Sequence, residues 1–356
     1  MMGDKYLSRT IALFLGWLGL LAALLTACGS QQPTGLAVAS PIPSSPPASD
    51  LVAPPRPAAA PDAERLPESL APSATPSQTP SPLPSPTPSP TSAVVRFAVI
   101  GDFGLAGPPE EEVATMVKSW NPDFIVTTGD NNYPSGAAET MDENVGQYYH
   151  NYIFPYQGTY GEGATVNRFY PVIGNHDVMT EQGQPYFDYF TLPGNERYYR
   201  VTHDPVAIFA LNSMPGSEPD GVTSDSVQAE WLRQELAASD ACWKLVVFHH
   251  PPYSSDRRGP YDWMRWPFQE WGADATLAGH HHVYERIMVD GMPHFVNGLG
   301  GGARYAFGEI PEGSEARYNA DHGAMLVDAT AGQITFRFFS RNGQVMDTYA
   351  MEKTCP

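Results

Sequence analysis

Three consecutive histidines, residues 280–282, follow a short apolar run and a glycine. Because imidazoles are costly to bury without partners, this cluster indicates an exposed loop, a cluster of neutral histidines or a metal site. Other nitrogen and oxygen donors follow apolar runs in the same way, namely Asp102, Asp130, Asn175 and His249. Carboxylate, amide and imidazole groups suit first-row divalent or trivalent metals. These donors are too many for one tetrahedral ion, and a carboxylate can bridge two ions, so the pattern predicts a site for two metals.

The segments before these donors are short, apolar and β-branched, as in "VVRFAVI", "DFIVTT" and "KLVVF". Runs that are continuously apolar, rather than alternating, indicate strands covered on both faces. The C-terminal segment predicts successive antiparallel strands with an Asn-Gly hairpin turn at residues 342–343. We therefore expect an α/β domain whose polar loops gather at the C-terminal ends of strands, where such folds place ligands.

Three helical patterns lie between the strands, at residues 109–120, 226–236 and 261–271. Asp225 and Gln228 are spaced as a capping box at the start of the second pattern. The third pattern is rich in aromatic residues, so we expect it to pack on a sheet, with part of its face lining the site.

Five segments, "GDFG", "GDNNY", "GNHD", "VVFH" and "GHHH", occur in that order between Gly101 and His282. They resemble the motifs GDxG, GDxxY, GNH(D/E), VxxH and GHxH of the purple acid phosphatases, within the calcineurin-like metallophosphoesterases. The resemblance implies a four-layer α/β/β/α sandwich of two mixed sheets flanked by helices. It also implies a dinuclear metal centre at the strand ends, and a phosphoric-ester hydrolase.

The resemblance assigns a role to each donor when the motifs are carried over residue by residue. The first metal would be held by Asp102, Tyr133 and His282, the second by Asn175, His249 and His280, and Asp130 would bridge the two. Because a phenolate is a hard anionic donor, the family pattern implies Fe(III) at the first position. It implies Fe, Zn or Mn at the second. The middle histidine, His281, would face solvent or support the ligands.

The same resemblance leads to a mechanism in which a metal-bound hydroxide attacks phosphorus directly. His176 would stabilise the developing charge or protonate the leaving alkoxide, with Asp177 orienting its ring. Where the plant and animal enzymes carry further substrate-facing histidines, this sequence reads "SSDRRGP". Arg257 or Arg258 would then bind the phosphate, or the pair would simply be solvated. His250 is a further candidate for substrate contact.

The charge of the chain limits its partners. The formal charge is −19 overall, and from residue 94 onward 16 basic residues face 34 acidic ones, which gives −18. Such a domain repels polyanions, so a polymeric nucleic acid is not expected as a partner. A small phosphate ester remains compatible if metal ions supply positive charge inside the site.

The N-terminal region resembles an export signal followed by a linker. Basic residues precede an apolar stretch at residues 11–23, which suits a cleaved signal or a retained anchor. The tetrad that ends at Cys28 resembles the bacterial lipobox, which implies a signal peptide at residues 1–27 and a lipid on Cys28. Residues 28–93 are rich in Pro and Ser and predict a disordered, semi-rigid linker. The catalytic domain would occupy residues 94–356, on the outer side of a membrane in the cell envelope.

Two further cysteines, Cys242 and Cys355, remain outside the signal region. In an exported protein an even remainder predicts a disulfide, and two buried thiols are the alternative.

Three functions are compatible with the sequence. The first is a lipid-anchored phosphomonoesterase of the purple acid phosphatase type, and the second is a phosphodiesterase or nucleotidase using Mn or Zn at the same site. The third is a non-catalytic envelope lipoprotein, against which the intact set of predicted ligands argues.

Overall fold

The structure is a computed structural model that describes residues 94–355. The predicted signal peptide, the predicted lipid attachment at Cys28 and the predicted linker lie outside the described residues. Within residues 94–355, no helix is long and apolar enough to cross a membrane.

In the described part of the chain, thirteen strands form two sheets. In chain order they are β1 Val95–Ile100, β2 Phe124–Thr127, β3 Phe169–Tyr170, β4 Tyr199–His203, β5 Val206–Ala210, β6 Trp243–Val247, β7 Ala275–Ala278, β8 Tyr284–Val289, β9 Met292–Asn297, β10 Ser314–Tyr318, β11 Gly323–Ala329, β12 Gln333–Ser340 and β13 Val345–Glu352.

Both sheets mix parallel and antiparallel pairs. The first has the order β13-β12-β11-β1-β2-β3, in which β1, β2 and β3 are parallel and the other pairs are antiparallel. The second has the order β10-β8-β9-β7-β6-β5-β4, with β5, β6, β7 and β9 parallel. The predicted hairpin joins β12 to β13, and its Gly343 has φ +83°, which a side chain would disfavour.

The two sheets pack face to face, and helices cover their outer faces. Contacts between the sheets include the rings of Phe295 and Phe336, whose centroids are 4.7 Å apart. On β6, Leu245 and Val247 belong to the core shared by the sheets, while Val246 belongs to the apolar cluster under a helix of the outer layer. The continuous apolar runs therefore mark strands buried on both faces, and the predicted four-layer sandwich is confirmed.

Within residues 94–355, five α-helices and four other helical turns connect the strands. The α-helices are α1 Pro108–Ser119, α2 Ala138–Met141, α3 Gln147–Tyr149, α4 Gln184–Tyr189 and α5 Val227–Ala238. A π-helical turn spans Asp142–Gly146, and 3-10 turns span His150–Tyr152, Glu181–Gly183 and Asp262–Met264.

The predicted helices at the first two patterns are confirmed as α1 and α5, but the predicted capping box is wrong. The N-cap of α5 is Ser226, whose Oγ accepts a hydrogen bond from the amide of Ala229 at 3.1 Å. The side chain of Gln228 instead accepts from the amide of Asn212 at 2.8 Å and donates to its carbonyl at 3.0 Å. Gln228 thus ties α5 to the chain that follows β5.

The predicted third helix, residues 261–271, is also wrong, because only Asp262–Met264 forms a helical turn there. Pro267 removes a helical hydrogen bond and restricts the residue before it, which explains the interruption. The expected packing does occur: Trp266 and Phe268 are buried in the cluster beneath α5. Trp263 donates to the carbonyl oxygen of Ser213 at 3.3 Å, close to the polar strand ends.

Cys242 and Cys355 form a disulfide with their Cα atoms 5.3 Å apart, which confirms the predicted pairing. The bond joins the start of β6 to the segment after β13 and closes a loop over a sequence separation of 113 residues.

Candidate metal centre

The predicted ligands follow parallel strands in both sheets and meet at one edge of the sandwich. Asp102 follows β1 and Asp130 follows β2, whereas His249 follows β6 and His280 follows β7. The amide of His280 donates to both oxygens of Asp102, at 3.0 and 2.9 Å, and so joins the two sheets at this point. The convergence places the donors in two adjacent groups.

The first donor group consists of Asp102, Tyr133 and His282. The hydroxyl of Tyr133 lies 2.9 Å from Nε2 of His282, and that nitrogen lies 3.3 Å from Oδ1 of Asp102. All three residues are buried. This group therefore brings two oxygen donors and one nitrogen donor together out of contact with bulk water.

The second donor group consists of Asn175, His249 and His280. Oδ1 of Asn175 lies 3.0 Å from Nε2 of His249 and 2.6 Å from Nδ1 of His280. The two ring nitrogens are 3.1 Å apart. His249 is fully buried, while Asn175 and His280 are half-buried, so this group lies nearer the surface.

Asp130 lies between the two donor groups and faces both. Its Oδ2 accepts from the hydroxyl of Tyr133 at 3.0 Å, and its Oδ1 lies 3.4 Å from Nε2 of His249. Burial raises the pKa of Asp130, but the charges of His249 and His176 outweigh it and lower the pKa overall. The carboxylate is thus ionised and lies where the family resemblance assigns the bridging ligand.

The outward nitrogens of the ligand histidines are occupied, which leaves the inward nitrogens as lone pairs. Nδ1 of His249 lies 2.8 Å from the carbonyl oxygen of Thr128, and Nδ1 of His282 lies against that of Ala303. A carbonyl oxygen only accepts, so each Nδ1 carries the proton and each Nε2 is free to bind a metal. The arrangement is that of metal-binding imidazoles held in one tautomer by an outer partner.

The second donor group can accommodate positive charge. With its Nδ1 protonated, His249 turns a lone pair toward Nδ1 of His280 and toward an oxygen of Asn175, and either a proton or a cation between these atoms satisfies them. Burial lowers the pKa of His249, but the carboxylates of Asp130 and Asp102 outweigh it and raise that pKa to about 9. A proton or a metal ion can supply the charge, so the residues fit a metal.

Tyr133 indicates which charge the first donor group favours. Burial and the carboxylates of Asp102 and Asp130 raise the pKa of Tyr133 well above its usual value. Conversion to a phenolate ligand therefore requires a neighbouring cation of high charge.

The backbone of the ligands themselves makes the tight turns at the strand ends. Asp102, Asp130 and His280 have φ values of +53°, +53° and +66°, which residues other than glycine rarely adopt. Such backbone concentrates at functional sites, where the surrounding structure imposes it. Among the motif glycines, Gly129 has φ +95°, and a Cβ there would lie 2.4 Å from Nδ1 of His249. The glycine therefore gives the neighbouring ligand its room.

His176 lies beside the bridging carboxylate, but Asp177 does not contact its ring. Nδ1 of His176 donates to the carbonyl oxygen of Pro134 at 2.6 Å, and its Nε2 lies 3.9 Å from Oδ2 of Asp130. The buried carboxylate of Asp177 instead accepts from the amides of Asn131 and Gly174, at 2.9 and 2.8 Å. The prediction that Asp177 orients His176 is wrong.

Asp177 instead stabilises the loops that carry Asp130 and Asn175. Burial and the charge of Asp130 raise the pKa of Asp177 to about 7, although hydrogen bonds from Gly174 and Asn131 lower it. A carbonyl of the main chain, at Pro134, takes the orienting position that the sequence assigned to Asp177.

The two histidines next to ligands in the sequence support the ligands from behind. His250 is 6% exposed, its Nδ1 lies 3.1 Å from Oγ of Ser213, and its ring packs 4.6 Å from that of His280. Burial and the charge of His249 lower the pKa of His250 to about 3, so this neutral, covered ring is unsuited to the predicted substrate contact. His281 is fully buried rather than solvent-facing, with Nδ1 2.8 Å from Oγ of Ser254.

The structure separates the two predicted phosphate-binding arginines. Nε of Arg257 donates to the carbonyl oxygen of Phe307 at 3.4 Å, on an exposed loop. The guanidinium carbon of Arg258 lies 3.5 Å from the centroid of the Tyr305 ring, and that ring stacks on the ligand His282 at 4.0 Å. Arg258 is therefore the arginine placed next to the donor groups.

Several residues at the centre lie outside the five motifs, although the aromatic pattern that contains Tyr261 was expected to line the site in part. The hydroxyl of Tyr261 lies 2.6 Å from Nε2 of His280 and can accept its proton, although this tyrosine fell within the predicted third helix. Ser213 accepts from the amides of His249 and His250, at 3.2 and 3.0 Å. Tyr305 lies in an irregular loop after β9. Each meets the ligands only through the tertiary fold.

The layered fold and the two donor groups that share a carboxylate define a metallophosphoesterase. The family model described as calcineurin-like phosphoesterase matches residues 95–284, more than half of the chain, and the protein belongs to this family. The predicted superfamily and enzyme class are thereby confirmed.

Relatives within this family include purple acid phosphatases. The chain is 26% identical over 245 residues to tartrate-resistant acid phosphatase type 5 of Mus musculus, which covers 58% of this chain and 72% of that protein. It is 24% identical over 245 residues to purple acid phosphatase 17 of Arabidopsis thaliana, and the match covers 61% of this chain and 70% of that protein. The solved structure of purple acid phosphatase PPD1 from yellow lupin seeds superposes with a TM-score of 0.63 at 19% identity, over 74% of this chain and 55% of that chain. At this identity the last match shows the fold.

Proposed function

We propose that this protein is an extracytoplasmic phosphatase that hydrolyses phosphomonoesters at a dinuclear metal centre. The observation that carries the proposal is the arrangement of the seven donors, with Asp130 between two groups whose nitrogen and oxygen atoms face inward. When bound, two metal ions lower the pKa of a coordinated water and neutralise the charge of a phosphoryl group during in-line displacement. The relatives named as acid phosphatases agree with this proposal.

The donor types support different ions in the two groups. The first donor group offers Asp102, Tyr133 and His282 next to the shared Asp130, which suits Fe(III) because two or three of these donors are anionic. The second would take Fe, Zn or Mn through Asn175, His249, His280 and Asp130. A visible absorption band from a Tyr133–iron pair, together with the metal content of purified protein, tests this assignment.

Arg258 and His176 would act on the substrate beside the metals. Arg258 is placed to donate to phosphoryl oxygens, since charge-assisted contacts from a guanidinium suit phosphate geometry. Nε2 of His176 faces the bridging carboxylate on a side chain that is 28% exposed, so it can hold a proton for the leaving oxygen.

A comparison of leaving groups tests the role of His176. The alcohol of an alkyl phosphate needs a proton on its oxygen to leave, whereas the nitrophenolate of a nitrophenyl phosphate leaves without one. We expect His176→Ala to slow hydrolysis of the alkyl ester by about 100-fold or more, the usual range for general acid catalysis, and that of the aryl ester much less. Equal losses for both esters would contradict the proton-donor role and favour charge stabilisation.

A substrate panel separates the proposal from a phosphodiesterase or nucleotidase that uses the same site. Purified protein with its own metals should cleave simple phosphomonoesters faster than phosphodiesters, and His249→Ala should abolish the activity in the same preparation. Colourless protein that becomes active only with added Mn, and prefers diesters, would support the alternative. Full metal loading without hydrolysis of either class would favour a non-catalytic envelope protein.

The location on the outer side of a membrane is part of the proposal. It is supported by the lipobox-like tetrad at residues 25–28 and by the disulfide between Cys242 and Cys355, since disulfides persist in oxidising compartments. We expect the wild-type protein in the membrane fraction and a Cys28→Ala protein to lose its lipid. Mass spectrometry of residue 28 decides the matter, because an unmodified Cys28 would remove the anchor.

A further inference from the structure

Three side chains stack in a column beside the first donor group. The Tyr305 and His282 rings lie 4.0 Å apart at 12° to each other, and the guanidinium carbon of Arg258 lies 3.5 Å from the Tyr305 centroid. Both neighbours are too close to the ring to share one face. Tyr305 is therefore sandwiched between a metal ligand and a cation, an arrangement that stabilises guanidinium groups on aromatic faces.

The backbone fixes this column from both ends. The amide of Tyr305 donates to the carbonyl oxygen of His282 at 3.0 Å, so the ring and the ligand are held in register. On the other side, Asp256 pairs with Phe307 in an isolated antiparallel bridge, and the amide of Gly308 donates to Ser255. The loop that carries Arg258 is thus tied to the loop that carries Tyr305.

One edge of the Arg258 guanidinium is used for orientation and the other is available. Asp256 is buried, and its Oδ1 accepts from the amide of Arg258 at 2.9 Å and from its Nε at 3.2 Å. Within residues 94–355 this is the hydrogen bonding that the structure gives to the guanidinium. The two terminal nitrogens are the ones that can donate to an anion.

We infer that Tyr305 is a positioning residue, whose ring holds the Arg258 guanidinium at a phosphoryl-binding subsite beside the first donor group. The inference rests on the proposed phosphatase function and names the device that places its anion-binding group. Tyr305 takes no proton and binds no phosphate in this role; it acts through Arg258. A long arginine side chain on an exposed loop would otherwise lose considerable conformational entropy on ordering, and the stack supplies that order in advance.

The test is a double-mutant cycle on the binding of inorganic phosphate, measured by titration calorimetry of the metal-loaded protein without turnover. Arg258→Ala should raise the Kd of phosphate by about tenfold or more, as expected for loss of hydrogen bonds from a charged group. Tyr305→Leu should reproduce most of that increase. The double variant should bind no more weakly than Arg258→Ala alone, because the two residues act as one unit.

Tyr305→Phe is the matched control, since it keeps the ring and removes only the hydroxyl. It should bind phosphate within about twofold of the wild type, and metal content should stay unchanged in every variant. Turnover of a phosphomonoester should show a raised KM, with kcat less affected, for Tyr305→Leu and Arg258→Ala alike.

Three results would overturn the inference. Additive effects of Tyr305→Leu and Arg258→Ala would show that the ring acts independently of the arginine. Equal losses of phosphate affinity in Tyr305→Phe and Tyr305→Leu would assign the effect to the hydroxyl. Loss of metal from Tyr305→Leu alone would limit the ring to supporting His282. If the wild type binds phosphate but cleaves only diesters, the proposed phosphomonoesterase function fails. The double-mutant cycle then still shows whether Tyr305 acts through Arg258.

Discussion

The first and second donor groups share Asp130 but differ in charge and in depth. The first surrounds the shared carboxylate with Asp102, Tyr133 and an imidazole, all buried. The second adds a neutral amide and two imidazoles, and its Asn175 is half-buried. A cluster of anionic oxygens stabilises a cation of higher charge, whereas neutral donors suit a divalent ion. In the proposed dinuclear centre we therefore expect two unlike ions, of which the one in the more exposed second group exchanges more readily.

The largest effect is expected from the residue that the two groups share. Asp130→Asn keeps the size of the side chain but removes the charge that faces both Tyr133 and His249. Since loss of an outer partner of a ligand already costs roughly 10–100-fold in metal affinity or activity, loss of the bridge should exceed about 100-fold. Elemental analysis should show that the contents of both metals fall together. Asp225→Asn, on an exposed carboxylate, is the control and should change neither.

If Asp130→Asn protein retained one metal, the view that the two donor groups share this carboxylate would be contradicted. It would show that the carboxylate belongs to a single group and that the other group binds its ion unaided.

The second prediction separates the two groups by their imidazoles. His282→Ala should release the deep metal and with it any iron absorption band, whereas His249→Ala should release the shallow metal and keep the band. Activity should fall by more than about 100-fold in both, because each loses a direct ligand rather than an outer partner. Elemental analysis together with visible spectra distinguishes the two variants. Loss of both metals from either variant would mean that the groups do not bind independently.

The positions of six of the seven donors could be predicted from the sequence because each lies in a short polar motif after an apolar run, and the seventh, Tyr133, was assigned by the family resemblance. Local sequence places a donor such as Asp102 or His280 at a strand terminus, and the parallel arrangement of the strands brings the termini to one edge. The continuous apolar runs predicted strands covered on both faces, whereas the four-layer sandwich was implied by the family resemblance. The structure confirms both.

The outer contacts of the donors could not be predicted, since they come from segments distant in sequence. Nothing in the chain order links His280 to Tyr261 or Tyr305 to Arg258. Adjacency was misleading at Asp177, because the turn after Asn175 directs its carboxylate toward backbone amides instead of the neighbouring ring. The aromatic pattern at residues 261–271 predicted burial correctly but helix wrongly, since buried irregular chain shows the same composition.

The third prediction tests the charge of the first group alone. Tyr133→Phe removes the hydroxyl next to Asp130 and His282 without removing the ring. The group then offers one anionic donor fewer, so it should favour a divalent ion over Fe(III) and the visible band should vanish. We expect activity with added Zn or Mn to recover to within about tenfold of the wild type, less severe than loss of a histidine ligand. An unchanged band would show that the colour, where present, arises elsewhere.

The smallest effect is expected from an outer partner of the second group. Tyr261 lies 2.6 Å from Nε2 of His280, and we expect it to accept the proton of that nitrogen when Nδ1 binds the metal. Tyr261→Phe leaves the ring in place but removes the acceptor, so affinity for the second metal should fall about tenfold, at the lower end of the range for such partners. The first metal should be unaffected. Competition with a chelator of known affinity measures both.

Tyr253→Phe provides the matched control for Tyr261→Phe, because it lies in the same segment and its ring packs 4.7 Å from the non-ligand His294. It should leave both metal affinities unchanged. If Tyr261→Phe weakens the two metals equally, the shared carboxylate couples the groups so strongly that depth and charge no longer distinguish them. If it weakens neither, the neutral donors of the second group are held by packing alone, and the hydrogen bond to Tyr261 does not select the tautomer of His280.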